Sequence, residues 1–282
     1  MKIGVIGLGN MGLPIALRLL EKSGGAVYGN DVVRAAMDRF AEAGGTAVAD
    51  PAELLRVCDA VFLSLPSNEL VREKLEQAVR CCKRGALVVD TSSSVPEVMR
   101  ACAAAAAERE IDLIDAPVSG GVDGARQGTL SVMCGGESAA VERAMPLLET
   151  FASTVTHMGA LGSGYTTKLV NNLIVGGEIT LLAEALGLAK RAGLDLERLK
   201  DAISGGAAGS SVLNIKGPKM IRGDFSASSR VLIHLKDQHN AQQLAKSLGA
   251  SIPACDLSTA LLEKLAEMGR GNEDVAAVID LF

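Results

Sequence analysis

Residues 2–12 of the chain read KIGVIGLGNMG, and this stretch decides the fold of the N-terminal half. The apolar run at 2–7 has the composition of a buried strand, and a helical pattern follows it from 13 to 22. The two are joined by a turn that comprises Gly7, Leu8, Gly9, Asn10, Met11 and Gly12. The first glycine of such a turn permits a tight bend, the second lets backbone approach a pyrophosphate, and the third lets helix and strand pack closely. The stretch therefore predicts a dinucleotide-binding turn.

The choice of dinucleotide depends on the residue that ends the next apolar run. That run, at 26–30, ends at Asp31, nineteen residues after Gly12. A carboxylate in this position hydrogen-bonds the adenosine ribose hydroxyls and repels a 2′-phosphate. Val32 and Val33 follow it rather than an arginine, so the sequence favours NAD. Arg34 is close enough to keep NADP open as the alternative.

Apolar runs and helical patterns alternate through the rest of this half. The runs lie at 60–65, 86–90 and 111–115, and the helical patterns lie at 69–82 and 95–108. Such alternation predicts a parallel, doubly wound sheet with crossover helices, over residues 1–161. Ligands bind where the strands of such a sheet end, so Leu65, Pro66 and Ser93 are expected to face one crevice with the glycine turn. At least one serine of the run 92–94 is expected to cap the following helix.

The turn Ser119-Gly120-Gly121 is the candidate for holding a carboxylate. Two successive glycines allow backbone N–H groups to converge on an anion, and the serine hydroxyl adds a third donor. An ordinary turn has the same composition, so the triplet alone leaves both interpretations open.

After about residue 160 the strand-like runs stop, which predicts an all-α domain over 162–282. The pattern from Tyr165 to Arg191 predicts a helix of ~40 Å that joins the two domains. The stretch from Gly205 to Ser211 has the composition of a flexible linker and could form a lid over the substrate. Further helices are expected at 195–203, 228–248, 256–268 and 273–280.

Lys168, Asn171 and Asn172 lie near the start of the long helix. They share one face, because positions i, i+3 and i+4 of a helix are neighbours. An ammonium beside two amides supplies a proton donor and polar groups to orient a substrate hydroxyl, whereas a solvated helix face is the alternative for the segment taken alone. Lys236 and Asn240 also share a face, and Lys236 is interpreted either as a surface residue or as a cofactor contact.

Composition excludes several classes of function. A net charge of −5, two tyrosines and no tryptophan offer little to a phosphate backbone or to bases, so no nucleic acid is expected. The six cysteines form no C-x-x-C pair and the three histidines no H-x-x-x-H spacing, so no metal site is predicted. The N-terminus has no basic leader, and no run of ~18 apolar residues lacks charge or glycine. A cytoplasmic protein without a membrane span is expected.

Taken together, these motifs resemble the β-hydroxyacid dehydrogenase family over nearly the whole chain. The similar segments are GLGNMG at 7–12, DAPVSGG at 115–121, GTLSVMCGG at 128–136, the pair Lys168 and Asn172, and Lys236-Asp237. Within the family, GGAAGSSVL at 205–213 and HLKD at 234–237 are most similar to the tartronate semialdehyde reductase branch. Gln238-His239 departs from the pattern of many relatives, which puts the substrate in question.

The resemblance implies an N-terminal Rossmann domain, an all-α domain, and a homodimer or homotetramer in which the α domains interlock. It implies hydride transfer between a nicotinamide cofactor and a small carboxylate-bearing hydroxy acid or semialdehyde, of the tartronate semialdehyde or glycerate type. Lys168 would shuttle the proton, Asn172 and Asn171 would orient it, and Ser119, Gly120, Gly121 and Ser93 would hold the substrate. Lys236 would contact the cofactor.

Other interpretations stay open at this point. The substrate could be another 3-hydroxy acid, namely 3-hydroxyisobutyrate, L-threonate or L-serine. An imine reductase has the same fold but replaces the lysine, so Lys168 argues against that activity. A non-catalytic NAD-binding protein is disfavoured because Lys168, Ser119 and Asn172 are all present.

Overall fold

The computed structural model describes all residues from Met1 to Phe282. They form two compact units, Met1–Lys168 and Leu169–Phe282. The strands are β1 Lys2–Ile6, β2 Ala26–Asn30, β3 Thr46–Ala47, β4 Ala60–Leu63, β5 Leu87–Asp90, β6 Asp112–Asp115, β7 Val118–Ser119, β8 Leu130–Gly135 and β9 Ala152–Gly159. The helices are α1 Gly12–Lys22, α2 Arg34–Glu42, α3 Pro51–Val57, α4 Asn68–Cys81, α5 Pro96–Glu108, α6 Gly121–Gln127, α7 Ser138–Leu148, α8 Ser163–Arg191, α9 Leu196–Ser204, α10 Ser211–Arg222, α11 Val231–Leu248 and α12 Pro253–Glu267. A 3₁₀ helix, Val275–Leu281, follows.

The first unit contains one sheet with the strand order β3-β2-β1-β4-β5-β6-β8-β7, to which β9 adds alongside β8. The strands from β3 to β6 pair in parallel, which confirms the predicted doubly wound sheet. The direction in which the chain adds strands reverses between β1 and β4, and the carboxyl ends at such a point form a ligand crevice. The glycine turn lies there, because it follows β1 directly.

The other edge of the sheet was not predicted. Strand β8 is antiparallel to both β6 and β7, and it pairs in parallel with β9. Most residues of β9 are exposed, so this strand lacks the apolar run by which the inner strands were recognised. A polar edge strand of this kind also resists pairing with another chain.

The core of the first unit explains why its inner strands were the easiest to predict. Every residue of β4 and β5 is buried, as expected for parallel strands covered by helices on both faces. Phe62 of β4 packs edge-on against Phe151, with ring centroids 6.0 Å apart. Each fully buried side chain of this size stabilises the fold by roughly 1.5–3 kcal/mol.

The second unit is helical, as predicted, but its elements differ in detail from the expected ones. The linker between α9 and α10 is shorter than predicted, because Ser210 caps α10 by accepting a hydrogen bond from the Leu213 amide at 3.1 Å. Helix α10 was not predicted; it contains Pro218, a residue type that usually breaks a helix. The final element is a 3₁₀ helix whose first four residues are buried.

Helix α8 begins at Ser163, two residues before the predicted start, and runs to Arg191 as predicted. By length and composition it could cross a membrane, which the sequence argument did not anticipate. The core helix of a soluble protein has the same properties, and one side of α8 is buried within the protein. Its buried residues include Tyr165, Leu169, Ile179, Ala183 and Leu186.

Candidate active site

The three glycines of the turn after β1 have distinct surroundings. Gly7 has φ +95°, and a Cβ on it would lie 2.2 Å from the Ser64 carbonyl oxygen. A Cβ on Gly12 would lie 1.9 Å from the Gly7 carbonyl oxygen, so only glycine lets α1 pack this closely on the turn. No atom lies within 4 Å of a Cβ built on Gly9, which leaves backbone open to a ligand. The first amides of α1 point out of the same turn. The turn therefore fits a pyrophosphate.

Asp31 is bonded to this turn through its carboxylate. Its Oδ2 accepts a hydrogen bond from the Leu8 amide at 2.6 Å, and its Oδ1 accepts one from the Val33 amide at 2.7 Å. Each oxygen keeps a further lone pair for ribose hydroxyls. Val32 is completely exposed and Arg34 forms an exposed ion pair with Asp38 at 2.9 Å. The carboxylate is thus held beside the pyrophosphate turn.

Hydrogen bonds join the loops that follow β4 and β5. The Leu65 amide donates to Ser92 Oγ at 2.8 Å, and the Ser94 hydroxyl donates to Asn68 Oδ1 at 2.9 Å. Pro66 follows on the exposed side, and Ser93 is half-buried between Ser92 and Ser94. Leu65, Pro66 and Ser93 therefore lie together at the carboxyl edge of the sheet.

The expectation that a serine of the run 92–94 caps the next helix was wrong. Helix α5 begins at Pro96, and Val95 at the cap position makes no side-chain hydrogen bond. Fewer backbone N–H groups at the start of α5 need an acceptor, because its first residue, Pro96, has no N–H group. The hydroxyls of Ser92 and Ser94 are used instead to join loops, as described above.

The Ser119–Gly121 turn has an open and unusual backbone. Gly120 and Gly121 have φ values of +125° and +68°, a region that residues with a side chain rarely adopt. A Cβ on Gly120 would touch Leu130 at 3.1 Å, whereas nothing lies within 4 Å of a Cβ on Gly121. Ser119 is half-buried at the end of β7. Backbone can therefore approach an anion at Gly121.

Lys168 is half-buried on the second turn of α8, and Asn171 and Asn172 follow on the same helix. Asn172 is 8% exposed, and its side-chain amide donates to Asp237 Oδ2 at 2.7 Å. Asn171 in turn donates to Asn172 Oδ1 at 3.0 Å. The orientation of the Asn172 carboxamide is thereby set, with oxygen towards Asn171 and nitrogen towards Asp237.

Asp237 is the residue of this cluster that the functional reasoning from sequence missed. Lys236 Nζ lies 3.1 Å from Asp237 Oδ1, as an ion pair without hydrogen-bond alignment. Asp237 thus links Lys236 with Asn172, two residues that were predicted for different roles. The Lys-Asp pair in the sequence was the available signal, but the 65-residue separation between Asp237 and Asn172 hid their contact.

Gln238 does not reach out towards a ligand. Its side chain is fully buried, and its amide donates to the Asn172 carbonyl oxygen at 2.9 Å. Its Oε1 accepts from the Cys255 thiol at 3.0 Å, and a Cβ on Gly176 would lie 2.3 Å from Gln238 Nε2. This departure from the family pattern therefore packs against the helix that carries Asn172.

No three histidine, cysteine, aspartate or glutamate side chains are grouped as metal ligands. All six cysteines are free, and five of them are buried. Burial raises the pKa of Cys58, Cys82 and Cys134 to about 12, so these thiols are unreactive at neutral pH.

Comparison with known proteins assigns both halves of the chain. Residues 2–159 match the NAD binding domain of 6-phosphogluconate dehydrogenase, and residues 162–282 match the NAD-binding region of NADP-dependent 3-hydroxyisobutyrate dehydrogenase. The chain is 35% identical to 2-(hydroxymethyl)glutarate dehydrogenase of Eubacterium barkeri, over 100% of this chain and 94% of that protein. It is also 35% identical to 2-hydroxy-3-oxopropionate reductase of Escherichia coli, over 99% and 96% respectively.

A solved structure agrees with this assignment. The crystal structure of 3-hydroxyisobutyrate dehydrogenase from Salmonella typhimurium superposes with a TM-score of 0.92, at 31% identity and 100% coverage of both chains. The protein therefore belongs to the β-hydroxyacid dehydrogenase family of NAD(P)-dependent oxidoreductases. The predicted family, fold class, enzyme class and nicotinamide cofactor are confirmed.

Proposed function

We propose that this protein interconverts a small carboxylate-bearing hydroxy acid and its semialdehyde, of the tartronate semialdehyde and glycerate type. The Ser119–Gly121 turn carries the proposal, because its positive φ values and open backbone suit a carboxylate. The full-length similarity to 2-hydroxy-3-oxopropionate reductase supports the three-carbon substrate. L-threonate, L-serine and 3-hydroxyisobutyrate, named for other relatives, are the alternative substrates.

Each proposed catalytic residue has a role in this reaction. When bound, the nicotinamide cofactor supplies the hydride in reduction and takes it up in oxidation. In reduction the Lys168 ammonium donates a proton to the alkoxide oxygen that forms, and in oxidation the neutral amine accepts the hydroxyl proton. Asn172, with Asn171, orients the hydroxyl and Lys168. Ser119, Gly120, Gly121 and Ser93 bind the substrate.

The cofactor is proposed to lie along the carboxyl ends of β1, β2, β4 and β5. Its contacts are Gly7, Leu8, Gly9, Asn10, Met11, Gly12, Asp31, Leu65, Pro66, Ser93 and Lys236. NAD is preferred, because Asp31 is held at the turn by the Leu8 and Val33 amides and opposes a 2′-phosphate. The double variant Asp31→Ser with Val32→Arg should lower the ratio of kcat/KM for NAD(H) to that for NADP(H). A wild type that prefers NADP(H) would contradict this assignment.

The protein is proposed to act as a cytoplasmic homodimer or homotetramer, with domains at 1–161 and 162–282 and with neither nucleic acid nor membrane as a partner. An exposed apolar stripe on α8 supports the oligomer: Val170, Ile174, Leu181 and Leu188 are 52%, 53%, 66% and 71% exposed. Their spacing of four and seven residues is that of a helix–helix seam. Leu181→Glu should dissociate the oligomer in sedimentation experiments, whereas Leu257→Glu, at an exposed leucine of α12, should not. An unchanged mass for Leu181→Glu would exclude the seam.

The test of the substrate class is a panel of small hydroxy acids and semialdehydes, assayed by nicotinamide absorbance with both cofactors. Tartronate semialdehyde in reduction and glycerate or threonate in oxidation should be turned over. The matching alcohols, aldehydes and amides should be poorer by ~10²-fold, because a site that hydrogen-bonds an anion leaves its donors unpaired without one. Equal activity on acids and on their amides would exclude a carboxylate-binding turn.

Lys168→Ala tests the proton shuttle. The kcat should fall by at least ~10²-fold, the usual contribution of a general acid or base, while cofactor affinity remains near wild type. An unchanged kcat would remove Lys168 from the reaction.

A further inference from the structure

The start of α8 is fastened to the end of strand β6 by one carboxylate. Asp115, the last residue of β6, is completely buried. Its Oδ1 accepts a hydrogen bond from the Gly162 amide at 2.7 Å, and its Oδ2 accepts one from the Tyr165 amide at 2.7 Å. Because the first amides of a helix have no acceptor within it, this side chain supplies the helix cap.

Two glycines bring the backbones into direct contact at this cap. A Cβ on Gly164 would lie 2.3 Å from the Met133 carbonyl oxygen and 2.6 Å from the Asp115 carbonyl oxygen. A Cβ on Gly135 would lie 2.5 Å from Asp115 Oδ1. Neither Gly135 nor Gly164 has a positive φ, so their backbone conformation does not require glycine. Close packing of the backbones is the reason that glycine occupies both positions. The first turn of α8 consequently has little room to shift.

A second buried carboxylate fastens the same turn to strand β5. The Tyr165 hydroxyl donates to Asp90 Oδ2 at 2.6 Å, and both side chains are completely buried. Asp90 Oδ1 accepts a hydrogen bond from the Ser92 amide at 2.7 Å. The first turn of α8 is therefore tied to the loop that carries Ser93.

Lys168 is placed by this turn, because it follows Tyr165 by three residues on the same rigid helix. After Asp115 the chain continues to the Ser119–Gly121 turn, which begins four residues later. From this arrangement we infer that Asp115, Tyr165 and Asp90 are positioning residues that set Lys168 relative to Ser93 and the carboxylate-binding turn. The inference rests on the proposed function of Lys168.

The charges around Asp115 give this role a signature in pH. The groups that face it are the amides of Gly162 and Tyr165, the carboxyl of Asp90, the phenol of Tyr165 and the thiol of Cys134. These groups bring no positive charge. Burial, aided by Asp90, raises the pKa of the Asp115 carboxyl to about 6, although the backbone amides of Gly162, Tyr165 and Asp115 itself oppose the change. Protonation converts one accepting oxygen into a hydroxyl, which weakens the cap. The kcat of the wild type should therefore fall below about pH 6 while the helix remains folded.

The test is a double-mutant cycle on the intact protein. Asp115→Asn and Tyr165→Phe are made in the wild type and in Lys168→Ala, and kcat and KM are measured with tartronate semialdehyde or the best acid of the panel. In the wild type each change should lower kcat by ~10-fold or more, since misplacement by ~1 Å costs up to ~10²-fold. KM for the cofactor should stay within about twofold. In Lys168→Ala neither change should lower the residual kcat by more than about twofold. Asp115 and Tyr165 act through Lys168, so their replacement has little left to disturb once Lys168 is absent.

A matched control and a second variant keep the result interpretable. Asp50→Asn removes another aspartate cap in the same unit, at the start of α3, and should leave kcat within about twofold. Asp115→Asn should also lose the decrease of kcat near pH 6. Tyr165→Phe keeps the packing of the ring and serves if Asp115→Asn fails to fold.

The outcomes separate this inference from the proposed function. Equal losses in both backgrounds, or no loss in the wild type, would overturn the positioning role alone. A wild type inactive on every acid of the panel, or a fully active Lys168→Ala, would instead overturn the proposed function.

Discussion

The two units each bury an aspartate at the start of a helix, and the two carboxylates are held in opposite ways. In the first unit Asp115 caps α8 with hydrogen bonds from two backbone amides. In the second unit Asp274 caps the final 3₁₀ helix by accepting from the Ala276 amide at 3.1 Å. Both side chains have no exposed surface. The two carboxylates differ in the other groups that donate hydrogen bonds to them.

Asp274 has a counter-ion and Asp115 has none among its bonding partners. Lys216 Nζ donates to both oxygens of Asp274, at 2.8 and 3.0 Å, and Ser228 donates through its amide and its hydroxyl. The Ser229 amide adds a further bond at 3.0 Å. Burial opposes ionisation of Asp274, but these bonds outweigh it and hold its pKa well below its usual range.

The comparison shows that burial alone does not decide what a carboxylate does. Given an ammonium and several donors, a buried carboxylate is a structural ion pair whose charge is permanent. Given amides only, it remains ionised at a cost and titrates near neutral pH. Carboxyls with raised pKa values are concentrated at functional sites, and Asp115 bonds the first turn of the helix that carries Lys168, the proposed proton donor.

The largest effect is expected where the ion pair is broken. Lys216→Ala leaves Asp274 buried without its counter-ion, and the free energy of unfolding in urea should fall by about 3–5 kcal/mol. Lys219→Ala is the matched control, because Lys219 lies 4.0 Å from Asp274, is more exposed, and makes no hydrogen bond to it. It should cost less than about 1 kcal/mol. If the two variants lost equal stability, the ion pair would not be the anchor of this region.

A smaller effect is expected at Asp115, whose contribution to stability depends on pH in the direction opposite to that of Asp274. The folded state takes up the Asp115 proton at about pH 6, whereas the unfolded chain does so near pH 4. The folded state then binds more protons between these values, so this group adds stability as the pH falls from about 6 to 4 and loses it as the pH rises. The free energy of unfolding of wild type minus that of Asp115→Asn should increase by about 2–3 kcal/mol from pH 7 to pH 4.

Urea unfolding at several pH values measures this difference directly. Asp50→Asn again serves as the control, since Asp50 is exposed and its replacement should give curves parallel to the wild type. Parallel curves for Asp115→Asn as well would mean that Asp115 titrates like an ordinary carboxyl, and the contrast with Asp274 would then disappear.

The smallest effect is expected where a buried polar contact carries no charge. Gln238→Leu removes the hydrogen bonds to the Asn172 carbonyl and the Cys255 thiol, and should lower stability by only about 1 kcal/mol. Gln242→Leu, which loses an exposed bond to Asp256, should change stability by less than about 0.5 kcal/mol. A loss for Gln238→Leu as large as that for Lys216→Ala would show that charge is not what separates these contacts.

Much of the first unit could be predicted because its signals are local. The glycine turn, each inner strand and Asp31 are recognised separately, each from the steric or polar requirements of one short segment. Strand β9 was missed because an exposed edge strand needs no apolar run. Helix α10 contains Pro218, and the burial of Val212, Leu213 and Met220 offsets the hydrogen bond that this proline cannot make. The proposed site residues were chosen in the same local way.

The sequence by itself determined the family, the fold class and the nicotinamide cofactor, and it supplied the residues proposed for catalysis. Tertiary structure alone decided which partners those residues have. Asp237 bonds Asn172 across 65 residues, and Asp115 bonds Tyr165 across 50. An aspartate reads the same in a sequence whether it meets an ammonium or only amides, because its pKa depends on the charges and donors that folding brings to it.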